Sequence, residues 1–231
     1  MGGTYTARGE RRRQQLIEAA AEILRESGPA SVSMRTVARR VGASLSATTY
    51  YFDSADELLE EAGRVNIALW AGRAEKVAEA VESSPPPQGP GAAIDLVLRA
   101  TLPGDSPLLG HYSQLIAAGS SVPVTRAYNT GRGRLNLAVS RVLKVLDIRL
   151  PAELVIGIVD GAAVTGLSEG RDVRATARRY LEELLTHCEV DAAEPLSSPS
   201  GGRVRGSGPV TAVESSMARE GGSAAPTGPP Q

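Results

Sequence analysis

The chain has 231 residues, with 25 Lys plus Arg against 26 Asp plus Glu, a formal net charge of −1 and a single cysteine. That length accommodates a small unit beside a larger one with a core that needs no disulfide staples. Cys188 alone excludes an internal disulfide and a cysteine-based metal cluster, and it leaves His187-Cys188 an incidental pair. The longest apolar run, Leu154 to Leu167, is interrupted by Asp160 and three glycines and is too short to cross a bilayer. The N-terminus lacks the order of a signal peptide, so the expected compartment is the cytoplasm, with no membrane partner.

Residues 1–9 read as an N-terminal arm. Arg8, Arg11, Arg12, Arg13, Arg35, Arg39 and Arg40 then concentrate basic charge at this end of an otherwise balanced chain. Arg11 to Arg13 open an amphipathic helix whose stripe is Leu16, Ala20, Ile23 and Leu24. The same arginines read either as a solvated face or as phosphate contacts. Ser33 is an N-cap, Met34, Val37, Ala38 and Val41 recur at helical spacing, and Gly42 supplies the left-handed stop. Ser44 caps a second short helix from Leu45 to about Tyr51. Ser54-Ala55-Asp56-Glu57 is a capping box opening a long helix to about Ser83. The run Pro85-Pro86-Pro87 ends it. Further helices are predicted over 92–102, 108–118, 124–146, 152–168 and 173–188. No segment alternates like a strand, so the predicted class is all-α.

Two short helices around a Gly42-Ala43-Ser44 corner form a helix-turn-helix, whose second helix enters the major groove. The ordered set Gly28, Ser33-Met34-Arg35-Thr36-Val37-Ala38, Gly42-Ala43-Ser44, Tyr50-Tyr51-Phe52 and Ser54-Ala55-Asp56-Glu57-Leu58 resembles the DNA-binding domain of the TetR family of bacterial transcriptional regulators. Two positions depart from that pattern: Ala55 stands where the family usually has a phosphate-contacting Lys, and Tyr51 where a His is frequent. The resemblance implies a helix-turn-helix domain over 10–55 and a helical effector-binding and dimerisation domain over 56–190. It also implies a repressor that binds a palindromic operator in double-stranded DNA as a homodimer and is released by a small-molecule effector. Control by a protein partner, or no effector at all, is the alternative.

The expected DNA-binding residues are Arg13, Arg35, Thr36, Ser44, Leu45, Ser46, Ala47, Thr48, Thr49, Tyr50 and Tyr51. The second helix offers hydroxyls and methyls instead of bidentate readout, with Thr48 expected to set base preference. Leu45 is weighed against inward packing. Candidate effector-lining residues are Trp70, His111, Tyr112, Gln114, Tyr128, Asn129 and Asp160, the large rings and polar groups between reader and last helices. In AELVIGIVDGAAVTGLSEG, small residues let a second helix approach closely. The expected dimer interface is Leu154, Gly157, Ile158, Gly161, Ala162 and Leu167, with Leu181 and Leu184 from the final helix; an internal core helix is the competing reading. Residues 191–231, rich in Ser, Gly, Pro and Ala, read as a disordered tail. No cofactor is expected. His111 lacks a second ligand at metal spacing, and no phosphate loop, metal pair or nucleophile elbow suggests an enzyme.

Overall fold

A computed structural model of the chain describes residues 6–85, 87, 89–104 and 108–193, the last six by their backbone alone. In them lie α1 (Ala7–Ser27), α2 (Met34–Arg40), α3 (Leu45–Tyr51), α4 (Ala55–Glu82), α5 (Pro90–Thr101), α6 (Leu108–Ala117), α7 (Val122–Val145), α8 (Ala152–Ser168) and α9 (Val173–Ala193). The described residues contain no strand, and the architecture is all-α. An N-terminal three-helix unit carrying the helix-turn-helix precedes a larger helical domain. No described helix is long and apolar enough to cross a membrane.

Side-chain caps set the N-terminal boundaries. Thr6 Oγ1 accepts from the Gly9 N–H, so α1 begins at Ala7. The expected arm therefore surrenders residues 7–9 to α1, and the tail expected over 191–231 surrenders 191–193 to α9; residues 1–5 and 194–231 lie outside the described residues. Ser33 and Thr36 form a reciprocal capping box on α2, and Ser44 accepts from the Ala47 N–H on α3. Ser54 caps α4 through the Glu57 N–H, but the Glu57 carboxylate accepts from Asp53 N–H at 2.8 Å, one residue earlier than the expected box. Gly42 turns the corner at φ 64°, a conformation that glycine adopts without a Cβ penalty.

The 28-residue α4 would span about 42 Å at the standard rise and belongs to two cores. The first joins Leu16, Leu24, Val37, Phe52, Leu58 and Ala62 to Ala118 and Val124 from far along the chain. A boundary at residue 55 thus falls before the reader's core is complete. The second gathers Trp70, Ala74, Leu98, Val139, Leu143, Val159 and Leu181. Helices α4 and α7 run in the same direction: Glu60 meets Arg126 at 3.1 Å, Glu75 meets Arg134 at 2.6 Å and Glu82 meets Arg141 at 2.5 Å. Those exposed pairs mark the register, but each contributes little. Close approach fixes it. A Cβ added at Gly63 would lie 2.8 Å from Ala127 Cβ, and one at Gly131 would collide with the branched Ile67 side chain.

Gly131 and Gly133 on α7 therefore respond oppositely to the same change. Gly131→Ala forces a methyl into Ile67 and should cost about 1–3 kcal/mol. Gly133→Ala, whose Cβ meets nothing within 4 Å, should gain up to about 1 kcal/mol from helix propensity. Urea denaturation of the two variants checks the register; equal effects would contradict it.

Candidate functional site

The reader is built on α1, α2 and α3. Arg35 and Arg39 lie one turn apart on α2, both exposed and without an ion pair among the described residues. By contrast, Arg40 is held by Glu26 at 2.7 Å and by Glu22 at 3.6 Å, and Arg12 donates to the Val41 carbonyl at 3.4 Å. On α3, Leu45, Ser46, Thr49 and Tyr50 face outward, and Ala47 and Tyr51 are half-buried. Leu45 therefore does not pack inward. Tyr50 is 70% exposed, its ring edge-on to Tyr51 with centroids 5.1 Å apart.

Three expected DNA contacts are turned elsewhere. Thr48 is fully buried, with its hydroxyl directed at the Ser44 carbonyl at 3.4 Å, because it is the α3 position that faces the helical unit. It supports the reading helix and does not present a hydroxyl to bases. Thr36 spends its hydroxyl on the cap, donating to Ser31 O at 2.9 Å and accepting from Ser33 N. Arg13 sits 3.3 Å from Glu61 and 3.6 Å from Glu57, with its guanidinium 5.1 Å from the Phe52 ring centroid, and so clamps α1 to the start of α4.

A second constellation lies between α4, α6, α7 and α8. The Trp70 ring packs against His111 at 4.7 Å and Tyr128 at 5.1 Å, and His111 against Tyr112 at 4.9 Å. Tyr112 donates to Asp160 Oδ1 at 3.2 Å, and Tyr128 donates to Gln114 Oε1 at 2.7 Å. Six of the seven expected effector residues thus meet. Asn129 does not: one position beyond Tyr128 on α7, it points to solvent.

Burial governs the ionisation of this cluster. It lowers His111 from 6.5 to about 4, assisted by the Arg73 charge, so the ring is neutral. It pushes Tyr128 up to about 12, against the opposing effects of Asn66, Gln114 and Arg25. Asp160 is raised by burial and partly offset by Arg132 and by the Tyr112 hydrogen bond.

Sequence reading missed Asn66, Arg73, Arg132 and Arg25 here. Asn66 is buried on α4, accepts from Arg25 Nη1 of α1 and donates to the Ala21 carbonyl at 3.3 Å. A signal for two of them exists: Asn66, Trp70 and Arg73 follow i, i+4, i+7 spacing, two polar residues on an otherwise apolar stripe.

On α8 the outward face carries Leu154, 45% exposed, Gly157, Gly161 and Val164, 39% exposed, with Ile158 and Leu167 half-buried beside them. A Cβ at Gly157 or Gly161 would meet nothing within 4 Å among the described residues, so no described element packs closely on the two glycines. Ala162 and Leu181 were expected in the interface but are buried within the chain's own second core. Gly166 likewise serves internal packing, since its added Cβ would lie 3.1 Å from Val173 Cα. Leu184 is half-buried on α9.

The family model described as "Bacterial regulatory proteins, tetR family" matches residues 16–62. Over 195 residues the chain is 30% identical to the HTH-type transcriptional regulator BetI 2 of Chromohalobacter salexigens, spanning 79% of this chain and 93% of that protein. A TetR-family transcriptional regulator from Mesorhizobium loti shares the fold with a TM-score of 0.60 at 18% identity, covering 79% of this chain and 98% of that one. A transcriptional regulator from Saccharomonospora viridis, solved in complex with choline, does so with a TM-score of 0.58 at 17% identity, covering 77% and 97%. The chain belongs to the TetR family of bacterial transcriptional regulators: it is a helix-turn-helix DNA-binding regulator and not an enzyme.

The neutral burial of His111 has a measurable consequence. Its ring titrates near 6.5 when unfolded and near 4 when folded, so on acidification the unfolded state takes the proton first. The ring's contribution is complete near neutrality and is lost as pH falls through that window, amounting to about 2 kcal/mol between pH 7 and pH 5. Urea denaturation at the two pH values should show this loss in the wild type and a flatter dependence in His111→Phe. Identical slopes would contradict the assignment.

Proposed function

We propose that the chain represses transcription by binding a palindromic operator as a homodimer, and that a small molecule held by the cluster around Trp70 releases it. The observation that carries this reading is the set of polar side chains lying between cluster and reader. Tyr128 on α7 donates to Gln114 on α6, its ionisation is influenced by Asn66 on α4, and Asn66 is held by Arg25 and Ala21 on α1. Helix α6 also abuts α1 directly: a Cβ at Gly110 would lie 3.4 Å from the Arg25 carbonyl. A molecule that displaces His111, Tyr112 or Gln114 therefore acts on the helix that supports the reader.

Homodimerisation supplies the second half-site. Short reading helices gain affinity when two of them sit about one helical turn apart, roughly 34–36 Å, and C₂ symmetry matches a palindrome. The outward stripe of α8, with glycines at 157 and 161, supports a symmetric helix pair. The choline held by the Saccharomonospora viridis regulator supports the capacity of this fold to enclose a small organic molecule. Repression follows if an occupied operator overlaps a promoter.

Titrating the full-length protein against DNA from its own upstream intergenic region, beside a scrambled duplex and at two salt concentrations, tests the reading. Saturable, salt-sensitive binding with two chains per site is expected; equal weak binding to both duplexes would contradict it. Arg35→Ala and Arg39→Ala should each weaken binding broadly across sequences and reduce the salt slope by about 1. Ser46→Ala or Thr49→Ala should alter preference in a randomised-site selection, whereas Thr48→Ala should lower the melting temperature and leave preference unchanged.

A further inference from the structure

Among the described residues, most guanidiniums in the helical domain have a carboxylate partner: Arg64 with Glu60, Arg126 with Glu60, Arg134 with Glu75, Arg141 with Glu82 and Arg178 with Asp95. Arg73 has none. Its Nη2 reaches only the Thr101 carbonyl at 3.4 Å, and its Nε is enclosed without an acceptor. Desolvation accordingly disfavours its charged form. Arg73 lies three residues after Trp70 on α4, one turn along nearly the same side of the helix, and its charge acts on His111 and Tyr112.

A second donor is stranded in the same region. Gln114 is 1% exposed, its Oε1 is taken by the Tyr128 hydroxyl, and its Nε2 has no partner among the described residues. Buried polar groups are normally satisfied, so two enclosed donors near one set of rings need an explanation. A guanidinium can only donate, and it matches a carboxylate better than any neutral acceptor.

We propose that the effector is a small organic anion, its carboxylate received by Arg73 and Gln114 and its aromatic or apolar body packed against Trp70, His111 and Tyr128. This rests on the reading of the cluster as the effector site. The opposite class, an organic cation boxed by the rings, meets the wrong charge balance. Asp160 is already engaged by Tyr112 and lies within the field of Arg132, while Arg73 stands uncompensated. The His111 ring is neutral and offers a cation no counter-charge.

Trp70 is the chain's single tryptophan, so its emission reports on the cluster directly. The full-length protein is titrated with three probes sharing one ring: phenylacetate, phenylacetamide and 2-phenylethylammonium. Phenylacetate should change Trp70 emission saturably and bind at least about tenfold more tightly than the amide, with the ammonium weakest. Arg73→Met should reduce phenylacetate to the level of the amide, and Arg73→Lys should restore part of the difference. Without probe, Arg73→Met should also melt about 2–4 °C higher, because it removes a poorly compensated charge.

Preference for the ammonium, indifference to charge, or an anion preference that survives Arg73→Met would overturn the anion assignment while leaving the cluster as a small-molecule site. A lower melting temperature in Arg73→Met would show that the guanidinium holds the fold and would remove the observation on which the assignment rests. If none of the three probes perturbs Trp70, both the assignment and the reading of the cluster as the effector site fail.

Discussion

Asn66 is where the reader and the helical domain are joined by something stricter than apolar contact. Its side chain is fully buried, and its two ends are committed to Arg25 and to the Ala21 carbonyl, both on α1. Leaving either end unsatisfied would cost about 1–3 kcal/mol, so the amide defines discrete arrangements of α1 against α4 where an apolar seam would allow sliding. Tyr128 of α7 donates to Gln114 of α6 at 2.7 Å, and its ionisation is influenced by Asn66. The remainder of the architecture follows: the first core already takes Ala118 and Val124 from beyond α6, so reader and helical domain share packing as well as hydrogen bonds.

Charge is used in two ways in this chain. Along α4 and α7, exposed carboxylate–guanidinium pairs track a register that Gly63 and Gly131 already impose by close approach. Inside the cluster the pairing is deliberately incomplete, with Arg73 uncompensated and Asp160 held by a phenol and a more distant guanidinium. Stability alone would favour an apolar residue at position 73. The reader shows a similar division: Arg13 and Arg40 are spent on glutamates, while Arg35 and Arg39 are exposed with no ion pair among the described residues.

What was legible in the sequence is what depends on near neighbours. Ser33, Ser44 and Ser54 start their helices, Gly42 turns the corner, and Pro85 to Pro87 follow the end of α4, because caps and breakers act within a few residues. The face a side chain turns to was less legible. Thr48 and Thr49 are chemically alike and adjacent, yet packing against the rest of the reader buries one and exposes the other. Arg13 looked free for phosphate because its partners Glu57 and Glu61 arrive from a later helix. Helix α8 is apolar on both sides, so Leu154, Gly157 and Gly161 could be placed in a helix contact but not separated from Ala162, which faces the chain's own core. That Trp70, His111, Tyr112, Gln114, Tyr128 and Asp160 come together was largely visible as rings and polar groups between the reader and the last helices. Asn129 failed because one step along α7 rotates a side chain by about 100°, and Arg73 was overlooked because a lone arginine on a long helix reads as solvated.

The central claim is that the cluster and the reader are coupled, and coupling of binding sites is reciprocal. Operator binding must then be felt at Trp70 even without an effector. The most direct measurement is the emission of this single tryptophan as the full-length protein is saturated with its upstream operator DNA, in the wild type and in Asn66→Leu. A saturable change that tracks operator occupancy in the wild type and is lost in the variant, whose folding is checked separately, is the result this account predicts. Emission that stays constant through saturation of the wild-type protein would contradict it.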